Sequence, residues 1–347
     1  MNPIVNFEHN GSNATYNSII HVAGDVYALA YEGASNKATL STIKITSAGS
    51  VTNSSFVATE EHDSNNGEHN TLIHLSGDKY VLFYRGKDSD GFAKVFKITA
   101  NGETIEQLSS ALEFATDYYA EGSPVKMTDS TLVVTHTGGN YDGYIRTFKV
   151  ASDGSTITQT KSLEHDGSYG QYNSLVRADE DTYVLSFNGY NNYGRVTTFT
   201  IPPDGSSITE LVNAAFADNG YSYWNNLVQV DHNTYLNAGY SYNTSGSSGY
   251  YGVLETFTIP TDGSTITSVA NLKYTEANTG KHNKLLKLNA NEYILAYQGK
   301  DGDGYIEMYT VSSDGATITK KWQNEFDTQQ NAWNDLVRID KNTIALT

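Results

Sequence analysis

One short phrase recurs seven times in this chain of 347 residues, and the residue just before it could do chemistry. That residue is Tyr16, His69, Glu121, Tyr172, Trp224, His282 or Trp333. Six times an asparagine follows: Asn17, Asn70, Asn173, Asn225, Asn283 and Asn334. Flat rings beside primary amides suit a sugar, because rings offer an apolar floor and amides hydrogen-bond hydroxyls. The competing reading is that the rings pack between neighbouring repeats. Similar residues in every copy are the signature of multivalent binding.

Other reactive side chains are sparser. His9, His62 and His165 each close a strand-like segment before Asn or Asp. One imidazole per repeat spaces them too far apart for a zinc site, which needs about four converging ligands. A hydrogen bond to a loop carbonyl is the expected role. The loops KDSDG (87–91) and KDGDG (300–304) place Asp88 with Asp90 and Asp301 with Asp303, the pattern of a calcium loop. Neither copy supplies the late Glu ligand, so hairpin turns are expected, with calcium the one ion they could take. Hydrolysis needs paired carboxylates, or a nucleophile with a base. Glu121, Lys126 and Arg177 are the lone polar intrusions, with Lys287 and Arg338 in the place of Arg177. They form no constellation in the sequence.

The elements that must position these residues follow from the repeat. Successive anchors, with Gly122 standing for the third asparagine, lie 53, 52, 51, 52, 58 and 51 residues apart. The fourth copy reads as four strands: NSLVRA, TYVLSF, RVTTFTI and SITELVNAAF, joined by Asn/Gly and Asp-Gly turns. The second strand is apolar throughout, which implies cover on both faces. The fourth is polar and Thr-rich, as an outer edge should be. A period near fifty with four antiparallel strands per unit predicts an all-β, seven-bladed β-propeller. It is expected to be one domain over 1–347, with units near 11–60, 61–112, 113–163, 164–215, 216–272, 273–324, and 325–347 plus 1–10. The last blade would be incomplete and closed by the N-terminal strand. Loops between the second and third strands, and connections from the fourth to the next first, should share one face. The third copy (Glu121, Gly122, Pro124) and the fifth (SYNTSGSSGYYG, 241–252) depart from the pattern.

Composition narrows the partners. Lys plus Arg is 22 and Asp plus Glu is 39, a formal charge of −17, which argues against nucleic acid. There is no cysteine, hence no disulfide and no thiolate chemistry. No stretch is long and apolar enough to insert in a membrane, and MNPIVNFEHN is not a Sec signal.

The phrases LEHD, YNSLV, TYVLSF, TFTI and DGSTIT resemble a tandem repeat of seven-bladed propeller proteins in marine bacteria and their phages. WD and kelch signatures are not matched. The resemblance implies sugar-binding or virion-surface propellers. The expectation from sequence is therefore a non-enzymatic recognition or adhesion module without cofactor. It would sit on the outside of a cell or virion and bind a surface glycan or host receptor. The alternatives are a structural or decoration subunit, bound to other structural subunits, and a glycan-active hydrolase or lyase.

Overall fold

Near-continuous apolar runs become the second strand of each blade, and their central residues are buried. Thr131–Thr137 and Thr182–Asn188 have no exposed residue. The Thr-rich outer strands alternate between exposed and half-buried, as in Thr209–Ala215. The computed structural model describes all residues except 1–4, 10–13, 53–54, 217–219, 244–248, 330–331 and 333.

Blade 1 comprises β1 (Thr15–Ala23), β2 (Val26–Glu32), β3 (Ala38–Lys44) and β4 (Ala58–Asp63). Blade 2 comprises β5 (Glu68–Ser76), β6 (Lys79–Arg85) and β7 (Gly91–Ile98). Its outer strand is split into β8 (Ile105–Gln107) and β9 (Leu112–Ala115), both paired with β7. Blade 3 holds β10 (Ala120–Lys126), β11 (Thr131–Thr137), β12 (Gly143–Val150) and β13 (Ile157–Asp166). Blade 4 holds β14 (Gln171–Arg177), β15 (Thr182–Asn188), β16 (Gly194–Thr200) and β17 (Thr209–Ala215). Blade 5 has longer middle strands: β18 (Ser222–Gln229), β19 (Thr234–Asn243), β20 (Gly249–Thr258) and β21 (Thr267–Lys273). Blade 6 holds β22 (Lys281–Lys287), β23 (Glu292–Gln298), β24 (Gly304–Val311) and β25 (Ile318–Asp327). A two-stranded sheet follows, β26 (Leu336–Arg338) with β27 (Ile344–Leu346).

The fold is an all-β propeller of six blades, which corrects the expected seven. Among the described residues the seventh phrase yields only β26 and β27, and Val5–His9 join no ladder. The remainder of the N-terminal segment 1–10 lies outside the described residues. The two-stranded sheet instead packs Val337, Ile339 and Ala345, with Phe7, against Ile19, Tyr27, Leu29 and Ile43 of blade 1.

The strands sort into two compact units. The first contains blades 1 and 2, most of blade 3 and the C-terminal sheet. The second contains blades 4, 5 and 6 with residues 135–145 and 162–166. In each unit the same two devices join neighbouring blades. A side chain after the anchor receives the next blade's backbone: Leu72 N donates to Ser18 Oγ (3.1 Å) and Ile19 N to Asp335 Oδ2 (2.8 Å) in the first unit. In the second, Leu227 N donates to Ser174 Oγ and Leu285 N to Asn226 Oδ1, both at 2.8 Å. The Asp-Gly turns, and the Asn-Gly turn at Asn101 and Gly102, supply the second device. A buried threonine hydroxyl donates to the turn glycine's carbonyl: Thr42 to Gly102 (2.6 Å), Thr198 to Gly263 (2.8 Å) and Thr256 to Gly315 (2.8 Å). These turns are therefore blade-to-blade latches as well as hairpin closures.

Candidate functional site

The residue before each anchor has an unusual backbone. Tyr16, His69, Glu121, Tyr172, Trp224 and His282 have φ of 54°, 50°, 58°, 55°, 50° and 52°. The left-handed region is uncommon for any residue but glycine, and strain there clusters at functional sites. In blades 1, 2, 4, 5 and 6 the cause is a break in the register of the first two strands. Such a bulge bends the strand and re-aims one side chain. The asparagine closes it: Nδ2 of Asn70, Asn173 and Asn225 donates to the carbonyls of Gly67 (2.6 Å), Gly170 (2.8 Å) and Ser222 (3.0 Å). Asn283 donates to Trp224 O at 3.3 Å and accepts from the Tyr274 hydroxyl at 2.5 Å. Asn17 lies against His9. Asn334 is half-buried, its amide without a hydrogen-bond partner among the described residues. In blade 3 the Tyr119 hydroxyl fills the asparagine's place. A Cβ on Gly122 would lie 1.7 Å from it, so the broken pattern there is a packing solution.

In the first unit the re-aimed residues join a charged cluster. The Tyr16 and His69 rings lie 4.4 Å apart, and His69 Nδ1 accepts from the Glu121 backbone N–H at 3.3 Å. That contact leaves the ring proton on Nε2. Burial holds the His69 pKa down at about 3, so the imidazole is neutral. Arg85 ends β6, forms an ion pair with Glu68 and donates to the Tyr118 hydroxyl at 2.8 Å. Glu32 ends β2 and accepts from Thr15 Oγ1 at 2.7 Å. The Tyr16 hydroxyl senses the whole set. Burial raises its pKa, Arg85 lowers it, and Glu32, Tyr118 and Glu121 raise it further.

Sequence reading missed Arg85, Glu32, Glu68 and Tyr118. A signal existed at the last residue of the second strand. That position holds Thr137, Asn188 and Gln298 in blades 3, 4 and 6, but Glu32 and Arg85 in blades 1 and 2.

In the second unit the re-aimed residues join an aromatic cluster. Trp224 lies 5.2 Å from Tyr172, 4.9 Å from His282 and 5.5 Å from Tyr240. The His282 pKa is lowered to about 4 by burial, then by Lys281. Loops and connections meet as expected within each unit. Tyr119 N donates to Ser89 O (3.0 Å) in the first, and Gly170 N to Tyr141 O (2.8 Å) and Asn278 N to Tyr250 O (2.6 Å) in the second. Trp333 lies outside the described residues.

The remaining candidates take structural roles. His62 and His165 are not caps; they are buried wedges, 4.8 Å from the Tyr84 ring and 4.7 Å from the Phe187 ring. Phe216 and Tyr274 do the same at 5.3 Å from Phe257 and 5.1 Å from Tyr297. Arg177 and Arg338 donate to carbonyls of their own turns, at Asp179 (2.6 Å) and Asp340 (2.8 Å). Lys126 pairs with Asp129 at 2.7 Å, and Lys287 donates to Val230 O at 2.5 Å. Asp88 and Asp301 are left-handed turn residues, φ 59° and 58°. Desolvation raises the Asp90 carboxyl pKa first, then Glu113, Asp88 and Asp117. For Asp303 desolvation again leads, then Glu325, Asp301 and Asp327. Among the described residues no group of three or more His, Asp or Glu is placed to hold a metal ion. None of their helices is long and apolar enough to cross a membrane.

No protein-family model matches the chain, and no curated protein matches it. Solved structures share its fold. One is the periplasmic gluconolactonase PpgL of Pseudomonas aeruginosa: TM-score 0.67, 11% identity, 92% of this chain and 87% of that one covered. A Bacteroides fragilis protein described as a 6-phosphogluconolactonase has TM-score 0.65 and 15% identity over 89% and 84% of the two chains. Sqt1 of Chaetomium thermophilum, bound to the N-terminus of ribosomal protein L10, has TM-score 0.56 and 13% identity over 91% and 76%. These matches correct the non-enzymatic recognition or adhesion reading. Lactonases are among the solved structures that share the fold.

Proposed function

We propose that the chain is a lactonase-type hydrolase that opens a sugar-derived lactone, with the charged cluster of the first unit as its reaction centre. The observation that carries this reading is the gathering of Arg85, Glu121 and a neutral His69 around Tyr16. The fold shared with a gluconolactonase supports it. Glu121 takes the proton of the attacking water as its oxygen bonds to the carbonyl carbon. Arg85 and the His69 Nε2–H stabilise the oxyanion that forms. The ring C–O bond then breaks, its electron pair passes to the ring oxygen, and Glu121 returns the proton there. The products are a carboxylic acid and a hydroxyl, and atoms balance without a co-reactant. An extracellular or virion-surface setting belongs to the same proposal.

The test is pH-stat titration of D-glucono-1,5-lactone, its 6-phosphate and an unsubstituted δ-lactone against their spontaneous hydrolysis. Acceleration of a sugar lactone is expected. Arg85→Ala should lower kcat by about 10²–10³-fold, the usual loss of an oxyanion donor. Glu121→Gln should cost about 10²–10⁴-fold, as loss of a general base does. No acceleration of any of the three lactones would refute the proposal.

A further inference from the structure

Blade 5 departs from its siblings on the face that carries its β19–β20 hairpin. Both strands run ten residues, against seven in β15 and β16 of blade 4. The added rungs pair Tyr242 with Tyr250 and Ser241 with Tyr251. Residues 244–248 at the tip lie outside the described residues. The extension is a sheet of tyrosines. Tyr250 stacks on Tyr240 at 5.0 Å with planes 13° apart, and lies 5.0 Å from Tyr242, 5.9 Å from Tyr221 and 5.9 Å from Tyr223. Tyr221 and Tyr223 are near-parallel, 5.9 Å apart at 15°. Trp224 continues the row 6.0 Å from Tyr223. Tyr240 is buried beneath, while the other five rings are half-buried and keep part of their surface in solvent.

We infer that this cluster is a binding site for a neutral oligosaccharide, whose pyranose rings stack on Tyr223, Trp224 and Tyr250. A folded core would bury such rings fully, and a protein interface of charged partners would need ion pairs. The six rings carry no charge. Burial raises the pKa values of Tyr223, Tyr240 and Tyr250, so their hydroxyls stay protonated and donate. Lys281 lies 5.9 Å from the Trp224 ring and 5.7 Å from the Tyr240 ring, held on those faces. Apolar ring faces edged with neutral hydroxyls match the C–H faces and hydroxyls of a pyranose. The inference draws on the second unit alone, so it stands or falls apart from the lactonase reading.

The experiment is calorimetric titration of the full chain with cellohexaose, laminarihexaose and maltohexaose to about 10 mM. Binding of at least one, with Kd of order a millimolar or tighter, is expected. Tyr250→Leu and Tyr242→Ser should each weaken it about tenfold, with far-UV circular dichroism confirming the fold. Arg85→Ala should leave it within about twofold while lowering lactone hydrolysis by about 10²–10³-fold. Binding of none of the three sugars by the parent chain overturns the inference. So does loss of binding in Arg85→Ala with both tyrosine variants unaffected. If Tyr242→Ser turned a sedimenting dimer into a monomer, the face would be a self-contact and the inference would fail. Sugar binding without lactone hydrolysis would support this site and sink the reaction proposed above.

Discussion

Gly122→Ala separates two rules that disagree about one residue. The repeat asks for asparagine at 122, so pattern alone expects any larger residue there to repair a flaw. The packing expects harm. An added Cβ would sit 1.7 Å from the Tyr119 hydroxyl oxygen and 2.7 Å from its Cζ. Tyr119 is fully buried, wedged against Phe114 at 5.5 Å within the core of the first unit, and cannot swing away. Gly122 does not adopt positive φ, so backbone strain does not confound the comparison. Overpacking of this kind costs about 1–3 kcal/mol. Unfolding entropy near 2.1 cal/mol/K per residue makes 1 kcal/mol worth roughly 1.4 °C in a chain of this length. Gly122→Ala should therefore lower Tm by about 1.5–4 °C, and Gly122→Asn by at least as much. Adding Tyr119→Phe to Gly122→Ala should recover part of the loss, because the hydroxyl is the nearest contact. Thermal denaturation followed by circular dichroism reads all three. A Gly122→Asn variant that melts at or above the parent would refute the reasoning.

Three other outcomes follow from the packing. His62 and His165 are buried, with pKa values lowered to about 3 and about 4, chiefly by desolvation. Below the ordinary value of 6.5 the unfolded chain takes up protons that the folded one refuses, so stability falls with pH, by up to about 3 kcal/mol per imidazole at pH 4. His62→Phe should flatten the pH dependence of the urea midpoint between pH 7 and 4, and an unchanged slope would show that His62 is not responsible. Thr256→Val removes the hydroxyl that donates to Gly315 and receives the Ala270 N–H, and should cost about 1–3 kcal/mol in urea unfolding. Asn173→Ala opens the bulge that presents Tyr172 and leaves the Gly170 carbonyl with the Thr137 hydroxyl as donor, so a smaller loss of about 0.5–1.5 kcal/mol is expected in the same assay.

Much of the blade was legible because it depends on local rules. The apolar second strand, the Thr-rich outer strand and the Asp-Gly turn each follow from burial, edge exposure or turn conformation within a few residues. The fourth copy was read to within two residues of β15, β16 and β17. The count of blades was not legible in the same way. A seventh phrase is present, yet a blade exists only where further strands extend its ladder, and the described residues supply two strands there.

The charged cluster shows the limit more sharply. The sequence alone picked out Tyr16, His69 and Glu121, because one position in each repeat carried unusual side chains. It could not show that these residues turn left-handed, since φ is decided by a bulge that needs the partner strand to exist. Nor could it bring Arg85 to Tyr118, 33 residues away, or set Tyr16 against His69, 53 residues away. Spacing along a chain fixes which residues repeat. Only the stacking of one blade on the next decides which of them meet, because those contacts are made between copies and no single copy contains them.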